Sequence, residues 1–237
     1  MIDLHCHILP GIDDGAKTPE ESLKMAEIAL RDGIHTIVAT PHVLGIYSNN
    51  VRSVEKSIAG LTDAFSINGI NIRLIPGADV PLSAGLMDKI NGGEAGTINN
   101  CMKYIMLELP AYTVPTGVKD LIFELKMNGI TPVITHPERN LMIQKNAGIA
   151  YDLVIMGALC QITAMSITGD FGEIPRKSAA ILLERRLVHV IASDAHSRRI
   201  TGRLYYQKPL KRQPIFSIIT RRLNGWLKMF RLQSYWA

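Results

Sequence analysis

A chain of 237 residues, nearly half of them apolar, is long enough to bury a substantial core, as one large α/β domain or as two small ones. No apolar run is long enough to cross a bilayer, and the N-terminus goes straight into a strand bearing His and Asp, which argues against a membrane span and a signal peptide. The net charge of +5 does not imply a nucleic-acid partner: residues 198–237 hold ten of the 26 Lys and Arg and no Asp or Glu, leaving 16 basic against 21 acidic groups in residues 1–197.

Met1 to His7 alternates Ile2, Leu4 and Cys6 with Asp3, His5 and His7, the period-two pattern of a strand with both imidazoles on one face. A loop through Pro10, Gly11, Asp13, Asp14 and Gly15 follows. Thr18, Pro19 and Glu21 then read as N-cap, first helical residue and capping box of a helix that Gly33 ends. Strands are expected at Thr36–Thr40, Ile70–Ile75, Tyr104–Leu107, Thr131–Thr135, Leu159–Thr163 and Val188–Ala192. Helices are expected at about Val51–Asn68, Val118–Asn128, Asn146–Met156 and Pro175–Arg186. Seven strand–helix units with mostly continuous apolar strands predict an α/β protein with a parallel sheet, and the length suits a closed barrel. The rival is an open doubly wound sheet, but no Gly-x-Gly-x-x-Gly turn follows the first strand. The three cysteines, Cys6, Cys101 and Cys160, are odd in number and lie in apolar runs, which points to buried free thiols and a cytoplasmic protein. None begins a Cys-x5-Arg phosphatase loop.

His5, His7, His42, Asp79, Glu108, His136, Asp194 and His196 all fall at or just past the expected C-terminal end of a strand. They include five of the seven histidines; His35 and His189 fall at strand beginnings and read as structural or solvated. One such residue is more often a hydrogen-bonded group at a loop entrance, but eight in equivalent places point to one centre. Imidazole and carboxylate ligands without thiolates suit Mn²⁺, Zn²⁺, Fe or Co more than Mg²⁺ or Ca²⁺. Eight groups are more than one ion needs, so two or three ions are expected, with Glu108 as the bridging carboxylate. Such a centre lowers the pKa of bound water and clamps attacking and leaving oxygens, suiting hydrolysis of a phosphoester or an amide-like bond. Arg139, three residues after His136, favours the phosphoester, because guanidinium matches phosphate oxygens bidentately. Its bland alternative is a surface ion pair with Glu138.

The stretches His5 to Gly15, Thr40-Pro41-His42, Glu108-Leu109-Pro110, His136-Pro137-Glu138-Arg139 and Ser193-Asp194-Ala195-His196 closely resemble the bacterial manganese-dependent protein-tyrosine phosphatases. These are the PHP-type (polymerase and histidinol phosphatase) enzymes of capsule and exopolysaccharide gene clusters. The resemblance spans residues 1 to about 197 and implies a distorted seven-stranded (β/α) TIM-like barrel with a trinuclear centre. It implies His5, His7, His42, Glu108, His136, Asp194 and His196 as ligands, Asp14 near the metals and Arg139 on the phosphate. The implied substrate is the phosphotyrosine tail of a bacterial tyrosine kinase.

Two departures stand out. The family usually has Glu where this chain has Asp79, one methylene shorter. After His196 it normally has a further Arg and a mixed-charge helix, whereas residues 198–237 here are basic throughout, which points to an atypical, replaced or frame-shifted segment. Arg199 or Arg203 is a substitute for the missing Arg, and residues 215–232 read alternatively as a basic helix for a membrane surface. Two further readings remain open: a PHP phosphatase for a small metabolite such as histidinol phosphate, and an inactive regulator that binds a kinase tail.

Overall fold

The structure is a computed structural model that describes residues 1–197. The expectations for Arg199, Arg203 and residues 215–232 lie outside the described residues. Strands β1 (Ile2–Cys6), β2 (Thr36–Ala39) and β3 (Arg73–Pro76) form one parallel sheet. Strands β4 (Asp79–Pro81), β5 (Tyr104–Glu108), β6 (Thr131–Thr135), β7 (Leu159–Thr163) and β8 (Val190–Ala192) form a second, also parallel. The helices are α1 (Pro19–Arg31), α2 (Val51–Ile67), α3 (Leu86–Asn91), α4 (Val118–Met127), α5 (Leu141–Lys145), α6 (Gly148–Ile155), α7 (Ala164–Thr168) and α8 (Glu173–Glu184). No helix among the described residues is long and apolar enough to cross a membrane.

The expected seven strands become eight, in sheets of three and five, and the regular ladders do not close into one barrel. The division falls just past the strand expected at Ile70–Ile75, where Asp79 was expected to lie beyond a strand end. β3 stops at Pro76, and Gly77 lies so close to β2 that a Cβ would be 2.8 Å from Val38 Cγ1. Asp79 then opens β4 and pairs with Met106, the middle residue of β5, rather than following β3 as its end. The sheets meet at two seams. Asp79 N–H donates to Pro41 O at 3.1 Å, while His7 N–H donates to Ala195 O and Asp194 N–H to His5 O, both at 2.9 Å. Buried Asp3 reinforces the second seam by accepting from the Ser193 backbone N–H at 3.0 Å and from the Ser193 hydroxyl.

Val38, Ile75, Met106 and Val133 come from strands of both sheets and meet in one buried cluster, with Leu4 and Leu159 packed against it. Outside it, α1 and α2 cover the first sheet through Met25, Leu61 and Phe65, while Leu121, Ile122 and Leu125 of α4 join the larger cluster on the second. Each such fully buried side chain contributes roughly 1.5–3 kcal/mol. Thr18 caps α1 as expected, accepting the Glu21 N–H at 3.3 Å, but the Glu21 carboxylate reaches the Lys17 N–H at 3.1 Å instead of closing the box on Thr18. α2 has a full capping box between Asn50 and Ser53. α8 begins two residues before Pro175, which sits harmlessly in the first turn, where no intrahelical N–H bond is lost.

Candidate metal centre

All eight expected ligands converge at one end of the strands. His5 is the fourth residue of β1 and His7 lies just past it, with their Nε2 atoms 3.1 Å apart. Asp194 Oδ1 sits 3.3 Å from His5 Nε2, 3.6 Å from His7 Nε2 and 3.7 Å from His196 Nδ1. Asp79 Oδ2 lies 3.6 Å from His5 Nε2, 3.8 Å from His42 Nδ1 and 4.0 Å from His136 Nε2. Glu108, the last residue of β5, comes within 3.6 Å of His136 and 3.8 Å of His42. Asp14 completes the outer side, 3.6 Å from His42 Nε2 and 3.5 Å from His196 Nε2. Asp79 is thus one methylene shorter than the usual Glu and still reaches three imidazoles. His35 is exposed and His189 is half-buried at the opposite strand ends, where His189 Nδ1 accepts the Cys160 N–H at 3.1 Å.

Two of these residues, His136 (φ 34°) and Asp194 (φ 52°), adopt the left-handed conformation that side chains other than glycine rarely take. The twist at His136 turns the chain directly into a short 3₁₀ helix, Pro137–Arg139, which carries Arg139 back over the cluster. Arg139 Nη1 donates to Asp194 Oδ2 at 2.6 Å, and its guanidinium lies over the Phe171 ring, 5.0 Å from the centroid. The ion pair with Glu138 does not form. Glu138 is fully buried, where its Oε1 accepts from Thr163 N–H at 3.0 Å and the Ser166 hydroxyl at 2.7 Å.

Three sets of potential ligand atoms each lie within 4.8 Å of one another: His7, Asp14, His42 and His196; His5, His7 and Asp79; and His42, Asp79 and Glu108. The donors fit a cation. Asp79 Oδ2 is buried without a hydrogen-bond partner while facing three imidazoles, an arrangement that is costly for a carboxylate unless a positive charge shares the space. Burial, partly offset by His5, raises Asp79 to about 6. Burial and the neighbouring Asp79 raise Glu108 to about 7. Burial also lowers His136 to about 3 and His7 well below its usual value, so both rings are neutral and able to donate a lone pair. Burial alone would raise Asp194, but His5, His136, His7 and His196 outweigh it and hold Asp194 low.

Several supporting residues were not singled out from the sequence. Asp13 Oδ2 lies 2.7 Å from His7 Nδ1, Gln161 Oε1 lies 2.9 Å from His5 Nδ1, and the Thr135 hydroxyl donates to Asp79 Oδ1 at 3.2 Å. Gln161 had a legible signal, a polar residue inside an otherwise apolar strand. Gly15 is fixed by crowding: a Cβ there would meet His7 O at 2.2 Å and His7 Cβ at 2.5 Å. Gly15→Ala is therefore expected to destabilise the protein by about 3 kcal/mol, read from the denaturant midpoint.

The model of a family described as capsular polysaccharide synthesis, CpsB/CapC, matches residues 1–203. The chain belongs to the CpsB/CapC family. Among its relatives in that family, the tyrosine-protein phosphatase YwqE of Bacillus subtilis is 38% identical over 198 residues, which is 83% of this chain and 78% of YwqE. CapC of Staphylococcus aureus is 35% identical over 233 residues, 98% of this chain and 90% of CapC, so that match runs past Ser197. A solved structure from work on YwqE and on CpsB of Streptococcus pneumoniae, described as unique metal-dependent tyrosine phosphatases, superposes with a TM-score of 0.82 at 37% identity. It covers 85% of this chain and 81% of that one. The CpsB/CapC match takes in every residue of the cluster.

Proposed function

We propose that this protein is a metal-dependent phosphatase of protein phosphotyrosine, acting on the tail of a bacterial tyrosine kinase in capsule or exopolysaccharide synthesis. The observation that carries the reading is Asp79 Oδ2, buried and unpartnered among His5, His42 and His136 in a chain whose relatives are tyrosine-protein phosphatases. In this reading the two sheets are parts of one distorted barrel, which the shared interior cluster and the bonded seams support. The site takes two or three Mn²⁺ ions, with Zn²⁺, Fe or Co as alternatives. Asp79 belongs to two of the ligand sets and would suit a shared carboxylate, whereas Glu108, the bridge expected from the sequence, belongs to one. The free thiols of Cys6, Cys101 and Cys160 support a cytoplasmic protein. Residues 198–237, with ten Lys and Arg and no Asp or Glu, are basic in composition and atypical beside residues 1–197.

When bound, the cations supply Lewis-acid stabilisation of phosphoryl oxygens and lower the pKa of an attacking water. His5, His7, His42, Asp79, Glu108, His136, Asp194 and His196 hold them, with Asp14 at the outer side. Arg139 has one guanidinium nitrogen on Asp194 and a face on Phe171, and its other N–H groups make no hydrogen bond among the described residues. Those groups hold the transferring phosphoryl group. Tyrosinate leaves with a pKa near 10, so no strong general acid is required.

The test is phosphate release from a phosphotyrosine peptide with Mn²⁺ and with EDTA. Release is expected with Mn²⁺ and none with EDTA or in His136→Ala. Folded protein that stays silent with Mn²⁺, Zn²⁺, Co²⁺ and Fe²⁺, yet binds the peptide, would identify an inactive regulator instead. A preference for histidinol phosphate over the peptide would identify a small-metabolite phosphatase.

A further inference from the structure

Adjacent carboxylates at Asp13 and Asp14 take opposite positions around the histidine cluster. Asp14 is half exposed and faces His42 and His196 from the front. Asp13 is buried behind the His7 ring, and all its neighbours in hydrogen-bond range can donate. Its Oδ1 accepts the Gly15 N–H at 2.8 Å, and its Oδ2 accepts the His42 N–H at 3.0 Å while lying 2.7 Å from His7 Nδ1. An ionised carboxylate only accepts hydrogen bonds, so at that distance His7 Nδ1 carries the proton and Nε2 presents a lone pair. That lone pair points into the cluster, 3.1 Å from His5 Nε2 and 3.6 Å from Asp194 Oδ1.

We propose that Asp13 is the positioning residue of the metal centre: it fixes His7 as the tautomer that can ligate through Nε2, and it ties the backbone of His42 to the same carboxylate. The inference rests on the metal-centre reading above. Asp13 acts through two expected ligands that come from different strands, so one side chain sets the separation of the loops after β1 and β2. A carboxylate behind a ligating imidazole also raises the basicity of the ring. The turn that places Asp13 there exists only because Gly15 lacks a side chain and Ala16 N–H can bond His7 O at 3.1 Å.

The proton position can be read without any substrate. In the full chain, ¹⁵N-labelled and stripped of metal, long-range ¹H–¹⁵N spectra are expected to show His7 protonated at Nδ1 and bare at Nε2. In Asp13→Ala the acceptor shared by His7 Nδ1 and the His42 N–H is gone, so the proton is no longer confined to Nδ1. The two His7 nitrogen shifts should move towards each other, and calorimetric affinity for Mn²⁺ should fall about 10–100-fold. In Asp13→Asn the amide oxygen is expected at the Oδ2 position, where it accepts from both His7 Nδ1 and the His42 N–H, so His7 should keep its tautomer and Mn²⁺ affinity should fall less than in Asp13→Ala. A wild-type His7 protonated at Nε2 overturns the proposal even if no variant folds. So does a folded Asp13→Ala protein whose Mn²⁺ affinity stays within about twofold of wild type, against the weakening expected on losing such a partner. Neither readout involves phosphotyrosine, so failure of the phosphatase reading would be seen separately.

Discussion

Asp194→Ala is expected to lower Mn²⁺-supported release of phosphate from a phosphotyrosine peptide by more than about 10³-fold, because one carboxylate here serves several partners at once. Its Oδ1 faces His5, His7 and His196, while its Oδ2 holds Arg139 at 2.6 Å. Removing it leaves the buried His5 without the nearer of its two carboxylates and frees the guanidinium to swing away. Alanine at this left-handed position adds backbone strain, so Asp194→Asn is the cleaner variant: Asn tolerates φ of 52° and keeps the shape but not the charge. Asn should be almost as inactive as Ala, with a circular dichroism spectrum like wild type. Full activity in Asp194→Asn would mean that the negative charge is dispensable.

The second large effect belongs to Arg139. Arg139→Ala is expected to lower kcat about 10²–10³-fold with saturating Mn²⁺, the cost typical of losing one preorganised donor to a developing charge. Arg139→Lys should recover little of it, since an ammonium cannot pair with Asp194, lie over Phe171 and present further donors in one plane. The measurement separates two roles. If Arg139 only steadied Asp194, the variants would bind Mn²⁺ more weakly and excess Mn²⁺ would restore kcat. A phosphate-holding Arg139 leaves kcat low at every Mn²⁺ concentration.

The cluster of imidazoles and carboxylates was legible because its residues punctuate the strands: each lies at or just past a strand end, and apolar continuity is written locally. His5 and His7 needed only the two-residue period of a strand, and Thr18 only its position before Pro19 and Glu21. Asp79 was named for a different reason from the one that places it. The sequence suggests the end of a strand, but β3 stops at Pro76 and Asp79 opens β4 beside β5. Glu138, weighed only as a surface partner in the bland alternative for Arg139, is buried against Thr163 and Ser166. Nothing local distinguishes those two fates, because both follow from how the 3₁₀ turn after His136 meets the start of α7.

The sequence by itself determined the α/β class, the parallel strands and the imidazoles and carboxylates that gather at one end of them, since residue type and period decide which side chains are buried and where polar groups end a strand. Only the tertiary structure decided the division into two sheets, the left-handed turns at His136 and Asp194, and the supporting roles of Asp13, Gln161 and Thr135. These depend on contacts between residues as far apart as His5 and Gln161, and such contacts are fixed by packing, where the lack of room for a Cβ at Gly15 or Gly77 decides what fits.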